Sequence, residues 1–426
     1  MTTPRADAAL PEEAVVDLDR IAPVDLIVGI PCFDNAETVG GVVTAVEAGL
    51  RKHFPSLRSL ICASDGGSTD GTLDAFRAGG VGGDAERLLV PPDTRPVEKA
   101  AFGYRGPKGK GSAVRAILEA ARRLQVRACA IVDADLRSIT PYWVDRLLAP
   151  IVDHGYEFAA PLYARHRHDG TITNAVAYPL TTSLYGSRIR QPIGGEFAFS
   201  GALAERYAGD TWEGEVARFG IDVWLTTAAV AEERRVCQTR LGAKLHDPKD
   251  PGKDLGPMFR EVVGTLFSLG RRYDDRWLAV EGATAPPTLG FPAEYAADPV
   301  EVSLDELARG FARGRDRHAD TWDDVLAPDN AATIAALDPS EPELAPERWV
   351  RILFDYLVAA RSTDDLPALV DTMVPLYFAR TATFVRDTLD VTDDEAEALV
   401  ERVVDVAVAE KPYLRDRWTA AVVPSR

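Results

Sequence analysis

The chain is poor in cysteine, in histidine and in long apolar runs, and each shortage removes a class of protein. Only four cysteines occur among 426 residues, Cys32, Cys62, Cys129 and Cys237. They show neither a CxxC pair nor Cys/His ligand spacing, which argues against a disulfide framework and a zinc module. Cys32, Cys62 and Cys129 sit in apolar stretches, where a free thiol packs as a small hydrophobe. No window approaches the ~18 uninterrupted apolar residues that a membrane span requires. Residues 1–22 lack a basic start followed by an apolar stretch, so no signal peptide is expected either. Basic residues are also short, 48 against 66 acidic ones, for a formal net charge of -18. Such a field repels nucleic acid, whose partners cluster Lys and Arg. A soluble, cytoplasmic protein with a small-molecule substrate is the expectation, and an anionic substrate would need local positive charge or a metal.

What is present reads as two units. After an N-terminal arm (1–22), expected to be loosely packed, residues 23–260 alternate strand and helix patterns. DLIVGIPCF (25–33), LRSLICASD (57–65), RLLVP (87–91) and RACAIVDAD (127–135) read as strands buried on both faces. Helical spacing fills 37–53, 68–78 and 109–124. This alternation predicts a mainly parallel α/β sheet. From 261 to 426 the texture is helical, with periodic segments at 259–273, 304–316, 346–362, 368–389 and 394–411. Pro- and Asp-rich breaks at 284–299 and 327–343 separate them.

Several motifs could carry chemistry. IVDAD (131–135) ends an apolar strand in Asp133 and Asp135, two carboxylates able to share a hard divalent ion that neutralises a diphosphate. Acidic residues that only finish a strand are the alternative. Ligands of open α/β sheets collect beyond the carboxyl ends of strands, which singles out IPCFDNAET (30–38) and Asp65 of SDGGSTDGT (64–72). Glycine-flanked Lys110 of YRGPKGKGSA (104–113) could meet phosphate, although the pattern is not that of a P-loop. YARHRHDGTITN (163–174) concentrates Arg165, His166, Arg167 and His168, either an anion patch or an exposed charged loop. Glu196 follows a Gly-Gly turn, Asp222 opens an apolar helix, and His246 of KLHDPKD could add a third metal ligand to Asp133 and Asp135.

In that order the motifs resemble those of the GT-A fold retaining glycosyltransferases, specifically mannosylglycerate synthases and glucosyl-3-phosphoglycerate synthases. The resemblance covers roughly residues 25–260. It implies a GT-A sheet with a helical C-terminal region. It also implies a nucleotide-diphosphate sugar as donor, with Mg²⁺ or Mn²⁺ on Asp133, Asp135 and His246. Pro31, Phe33, Asn35, Glu37, Asp65, Lys110, Asp133 and Ala134 would contact the donor. Glu196 would sit against the transferred sugar and Asp222 beside the acceptor, the two candidate catalytic groups. Arg165, Gly170, Thr171 and Thr173 would line the acceptor site. Phosphoglycerate-using relatives carry G-R-V-T where this chain has Gly170-Thr171-Ile172-Thr173. Because Arg is the natural two-pronged partner of phosphate, D-glycerate or a close relative is the expected acceptor. Glucosyl-3-phosphoglycerate synthase activity is the alternative within the class. Outside it stand a nucleotidyltransferase and a non-catalytic sugar-nucleotide-binding protein. A homodimer is one option for the assembly.

The metal assignment makes a direct prediction. Chelation should abolish transfer and Mg²⁺ or Mn²⁺ should restore it. Asp135→Ala should lose activity while its melting temperature stays near wild type; full turnover by chelated enzyme would refute the shared ion.

Overall fold

The computed structural model describes residues 9–80, 94–210, 212, 214–245, 255–292 and 299–421. Its centre is a sheet whose strands are β1 (Leu26–Cys32), β2 (Ser59–Asp65), β3 (Val97–Gly103), β4 (Ala128–Ile131), β5 (Phe158–Ala164), β6 (Phe197–Ser200), β7 (Val236–Ala243) and the two-residue β8 (Thr288–Leu289). Their order is β3-β2-β1-β4-β6-β5-β7-β8. Only β6 runs antiparallel to its neighbours β4 and β5; the remaining pairs are parallel. The mainly parallel α/β sheet expected from the sequence is thus present. Three expected strands appear within two to four residues of their predicted limits. The expected strand at 87–91 lies outside the described residues, and the third strand is formed by the less apolar VEKAAFG at 97–103.

The strand pattern follows from burial on both faces. Along β1, Leu26, Val28 and Ile30 enter one apolar cluster and Ile27 enters the other. Helices α2 (Val39–His53) and α5 (Pro141–Val152) cover the first face. Helix α4 (Lys110–Leu124) covers the second, and its Ile117 lies so close to β1 that a Cβ on Gly29 would approach it to 2.3 Å. All four cysteines are buried and unbridged; burial pushes each thiol up, as expected of packed hydrophobes.

The N-terminal arm is better ordered than its composition suggests. Residues Glu12–Ile21 form α1, and Ala14 and Leu18 on its inner face are buried. The helical region begins within α9 (Leu255–Arg272), so the expected boundary at 260/261 falls inside a helix. The break expected at 327–343 contains the helix α12 (Pro328–Ala336), which Pro328 can begin because the first turn needs no amide donor there. The long helices are α11 (Leu304–Val325), α13 (Pro346–Ala359), α14 (Leu366–Asp387) and α15 (Asp393–Ala409), the last opened by a Thr392/Glu395 capping box. They share one apolar cluster with the sheet's second face, running from Ala9 to Trp418. None of the helices among the described residues is long and apolar enough to cross a membrane.

Lys411, at the head of the last helix α16 (Lys411–Ala420), is only 4% exposed. Its ammonium donates to the Leu184 and Val280 carbonyls at 3.0 and 2.8 Å. Burial, with Arg415 adding to it, lowers its pKa to about 7, against a smaller pull from Glu281. A lysine whose folded pKa is lowered is neutral in the folded state and charged in the unfolded one between that value and its ordinary value. The unfolded chain then binds the extra proton, so this group's contribution to stability rises with pH. Between pH 7 and about 10, the melting temperature of wild type should therefore gain on that of Lys411→Met. A constant offset across that range would rule the ionisation out.

Candidate functional site

The loops leaving β1 and β2 are stitched to each other at the carboxyl edge of the sheet. The Asp34 amide donates to Ser68 Oγ at 2.9 Å, the Asn35 amide to Thr72 Oγ1 at 2.7 Å and the Ala36 amide to Asp70 at 2.9 Å. Asp65 accepts from the Gly67 and Ser68 amides, both at 3.0 Å, so its carboxylate shapes this turn. Asn35 Oδ1 likewise accepts from the Phe33 amide at 2.8 Å. Thr38 ties the first loop to the end of β4 by donating to the Ala134 carbonyl at 2.7 Å. The result is a fixed ledge on which the Phe33 ring stands 55% exposed, with Lys108 Nζ 5.6 Å from its centroid. Pro31 ends β1 beneath it, and Glu37 projects into solvent.

Beside the ledge lies a cluster of buried ions. Lys110 begins α4 and reaches Asp133 Oδ1 at 2.7 Å and Asp222 at 3.1 Å. Lys244, just past β7, meets Asp133 Oδ2 at 3.2 Å and Glu196 at 2.9 Å, and also donates to the Gly194 carbonyl at 2.9 Å. The Tyr163 hydroxyl donates to Glu196 from the other side. Two glycines permit this geometry. A Cβ on Gly195, which has φ +92°, would stand 2.3 Å from Asp133 Oδ2 and 2.8 Å from Lys244 Nζ. One on Gly111 would strike the Val216 carbonyl at 1.9 Å, where a short turn brings in Asp222 on α8 (Ile221–Ala231).

The charges shift one another strongly. Burial alone would raise the Asp133 carboxyl, but Lys110 and Lys244 hold it far below its ordinary range. Burial raises the Glu196 carboxyl, Lys244 opposes, and the Asp133 charge adds to the rise. Burial likewise raises Asp222 against the pull of Lys110. Both lysines stay charged, because their carboxylate partners outweigh desolvation. The two ammonium groups and three carboxylates thus hold one another in place at low solvent exposure, where each charge acts more strongly than it would in water.

The expected metal ligands are only partly in view. Asp135 is exposed and Asp133 lies on the same strand exit, and carboxylate oxygens suit a hard ion. Both Asp133 oxygens are already engaged by ammonium groups. His246 lies outside the described residues, and no group of three metal-ligating side chains occurs among the described ones.

A cavity of about 250 Å³ opens next to the ion cluster, lined by Arg165, Gly170 and Thr173 and by Asp393, Glu397 and Val400 of α15. A Cβ on Gly170 would sit 3.5 Å from Arg165 Nη1 and 3.8 Å from Thr173 Oγ1, so these three residues converge. Arg165 lies over the Tyr163 ring at 5.2 Å, as does the Lys244 ammonium; one aromatic ring thus touches both the cavity and the ion cluster. Asp169 is 3.8 Å from the Arg165 guanidinium. Burial lowers the Arg165 pKa, and its Nε is buried with no hydrogen-bond partner.

Thr171 faces elsewhere. Its hydroxyl is 2.6 Å from that of Tyr377 on α14, and the residue is 2% exposed; an arginine at 171 would therefore collide with that helix. His168 pairs with Thr388 at 3.0 Å, and Arg167 is held by the Thr388 carbonyl at 3.0 Å and by Asp393 at 2.7 Å. Sequence reasoning overlooked Lys244, Tyr163 and Arg190. Lys244 stands two residues before His246, and a cation beside a suspected metal ligand in an acidic chain was the available signal.

No family model matches the chain, and no curated protein matches it. Among solved structures, a glucosyl-3-phosphoglycerate synthase from Mycobacterium tuberculosis in complex with Mn²⁺, UDP-glucose and phosphoglyceric acid is 22% identical. That match covers 60% of this chain and 83% of that chain, with a TM-score of 0.43. A complex of the same enzyme with Mn²⁺, UDP and glucosyl-3-phosphoglycerate is also 22% identical, covering 63% and 86% at a TM-score of 0.44. Its complex with phosphoglyceric acid is 23% identical, covering 61% and 85% at 0.43. Likeness at this level transfers no residue role, and the functional argument rests on the geometry.

The Lys244–Glu196 pair yields a stability test. Lys244→Met should cost ~3–5 kcal/mol in urea unfolding, because it strands a buried carboxylate. Adding Glu196→Gln should recover much of that loss, and a double variant no more stable than the single would contradict the pairing.

Proposed function

We propose that this protein is a retaining glycosyltransferase that moves a hexose from a nucleotide-diphosphate sugar to D-glycerate or a close relative. The observation that carries the reading is the adjacency of two sites that hold cations, the Lys110–Asp133–Lys244 cluster and the Arg165–Gly170–Thr173 cavity, both in contact with Tyr163. The exposed Phe33 ring offers a stacking face for the donor base. Lys110 and Lys244 would turn from Asp133 toward the diphosphate. A divalent ion on Asp133, Asp135 and His246 would add further neutralisation of the leaving group.

In the cavity, Arg165 would hold the acceptor carboxylate and Thr173 an acceptor hydroxyl. Both Glu196 oxygens are occupied by Lys244 and one also by Tyr163, which disfavours Glu196 as a covalent nucleophile and supports a front-face route. The anomeric carbon–phosphate oxygen bond breaks, and the acceptor oxygen bonds that carbon on the same face. The acceptor proton passes to the departing phosphate oxygen. Asp222, raised by burial and beside Lys110, would position the acceptor hydroxyl.

The charge balance of the cavity favours an unphosphorylated acceptor. Arg167 and Arg190 are each held by a carboxylate, Asp393 at 2.7 Å and Glu397 at 2.6 Å. Arg165, whose pairing with Asp169 is the loosest of the three at 3.8 Å, is the guanidinium best placed to turn to a single carboxylate.

UDP-, GDP- and ADP-sugars should be assayed against D-glycerate and 3-phosphoglycerate, with products identified by mass spectrometry. A glycosyltransferase releases a nucleoside diphosphate, whereas a nucleotidyltransferase releases pyrophosphate. D-glycerate should show the higher kcat/KM. Arg165→Ala should raise its KM by roughly 10–100-fold while donor binding holds. A strong preference for 3-phosphoglycerate would overturn the acceptor assignment.

A further inference from the structure

A second cavity, of about 620 Å³, adjoins the first along β5 and is lined by Tyr142, Arg146, Arg188, Arg190, Arg240 and Phe291 among others. Four arginines around one opening are out of keeping with a chain of net charge -18. Two of them are accounted for. Arg188 pairs with Glu401 at 2.9 Å and with Asp405, and Arg190 takes Glu397 in a two-pronged contact at 2.6 and 2.8 Å.

Arg146 and Arg240 have no carboxylate partner among the described residues. Arg146 Nε is buried with no hydrogen-bond partner, and burial draws its pKa down. The two arginines are neighbours. A Cβ on Gly290, which has φ +95°, would lie 3.3 Å from Arg240 Cβ and 3.4 Å from the Arg146 guanidinium carbon. The glycine keeps the space between them open. Arg146 is braced over the Tyr142 ring at 4.3 Å and lies 6.0 Å from the Phe291 ring. Those rings are 45% and 84% exposed at the mouth. An ordinary surface arginine is solvated or paired; this one is stacked in place with its inner nitrogen left over.

We propose that Arg146 and Arg240 form a second anion site, distinct from the donor and acceptor regions, that takes a phosphate monoester small molecule. Two guanidinium side chains lining one cavity supply the charge and the donors that a phosphate dianion needs. Tyr142 and Phe291 offer flat apolar faces to the group that the phosphate carries. The two cavities share Leu162, Tyr163, Ala164 and the paired Arg190 and Glu397, but Arg146, Arg240, Tyr142 and Phe291 line only the second. The proposal does not depend on the glycosyltransferase reading.

Calorimetry with inorganic phosphate and with phenyl phosphate, against chloride at equal ionic strength, tests it. Wild type should bind both phosphates saturably and phenyl phosphate more tightly. Arg146→Gln and Arg240→Gln should each weaken binding roughly tenfold or more, whereas Arg165→Ala and Lys110→Ala should leave that event intact. Arg240→Lys keeps the charge in case the glutamine variant folds poorly, and should show an intermediate loss. Phosphate binding that is absent in wild type, that survives both glutamine variants, or that disappears instead with Arg165→Ala or Lys110→Ala, would overturn the site.

Discussion

Everything at the candidate site is arranged around one carboxylate held by two ammonium groups. Asp133 ends a central strand, Lys110 begins the helix that covers the second face, and Lys244 follows a strand three places away across the sheet. Their meeting fixes the relative positions of three chain segments, the last of them 111 residues beyond Asp133. Removing one charge from such a buried group leaves the others uncompensated, which makes the cluster rigid. In the proposed chemistry the two ammonium groups would exchange Asp133 for the donor diphosphate, so the cations that the leaving group needs are already held at the site.

The surrounding backbone serves that arrangement. Gly195 and Gly111 stand where any side chain would displace Asp133 or the turn that delivers Asp222. Asp65 and Asn35 cap the amides of their own turns and so hold the ledge beneath Phe33. Tyr163 has two attachments, its hydroxyl on Glu196 and its ring under both Lys244 and Arg165. A change in charge on either side of that ring is felt on the other.

Much of this was legible in the sequence because it is local. Continuous apolar runs marked β1, β2 and β4, glycines marked the entry to α4, and carboxylates after a strand marked Asp133. Arg165, Gly170 and Thr173 converge because a single turn of chain brings them together, which spacing can suggest. Thr171 shows the limit, since the side of a helical turn it occupies is set by Tyr377, some two hundred residues later. VEKAAFG is too polar and small to announce a strand, yet it forms one by completing an edge next to β2. Lys244 and Arg190 escaped notice for the same reason, their partners being distant in sequence and close only after folding. The described part of the N-terminal arm is helical because Ala14 and Leu18 find an apolar surface there, information that its own composition does not carry.

The acceptor cavity has a composite origin. Its floor comes from the segment after β5, while Asp393, Glu397 and Val400 close it from a helix near the end of the chain. In the proposed reading, acceptor choice is shared between the segment after β5 and a helix near the end of the chain. Substitutions along one face of α15 can reshape what is accepted without disturbing the ion cluster around Asp133. If the proposed acceptor site is right, its outline can be tuned from the far end of the chain, through side chains that make no contact with Asp133.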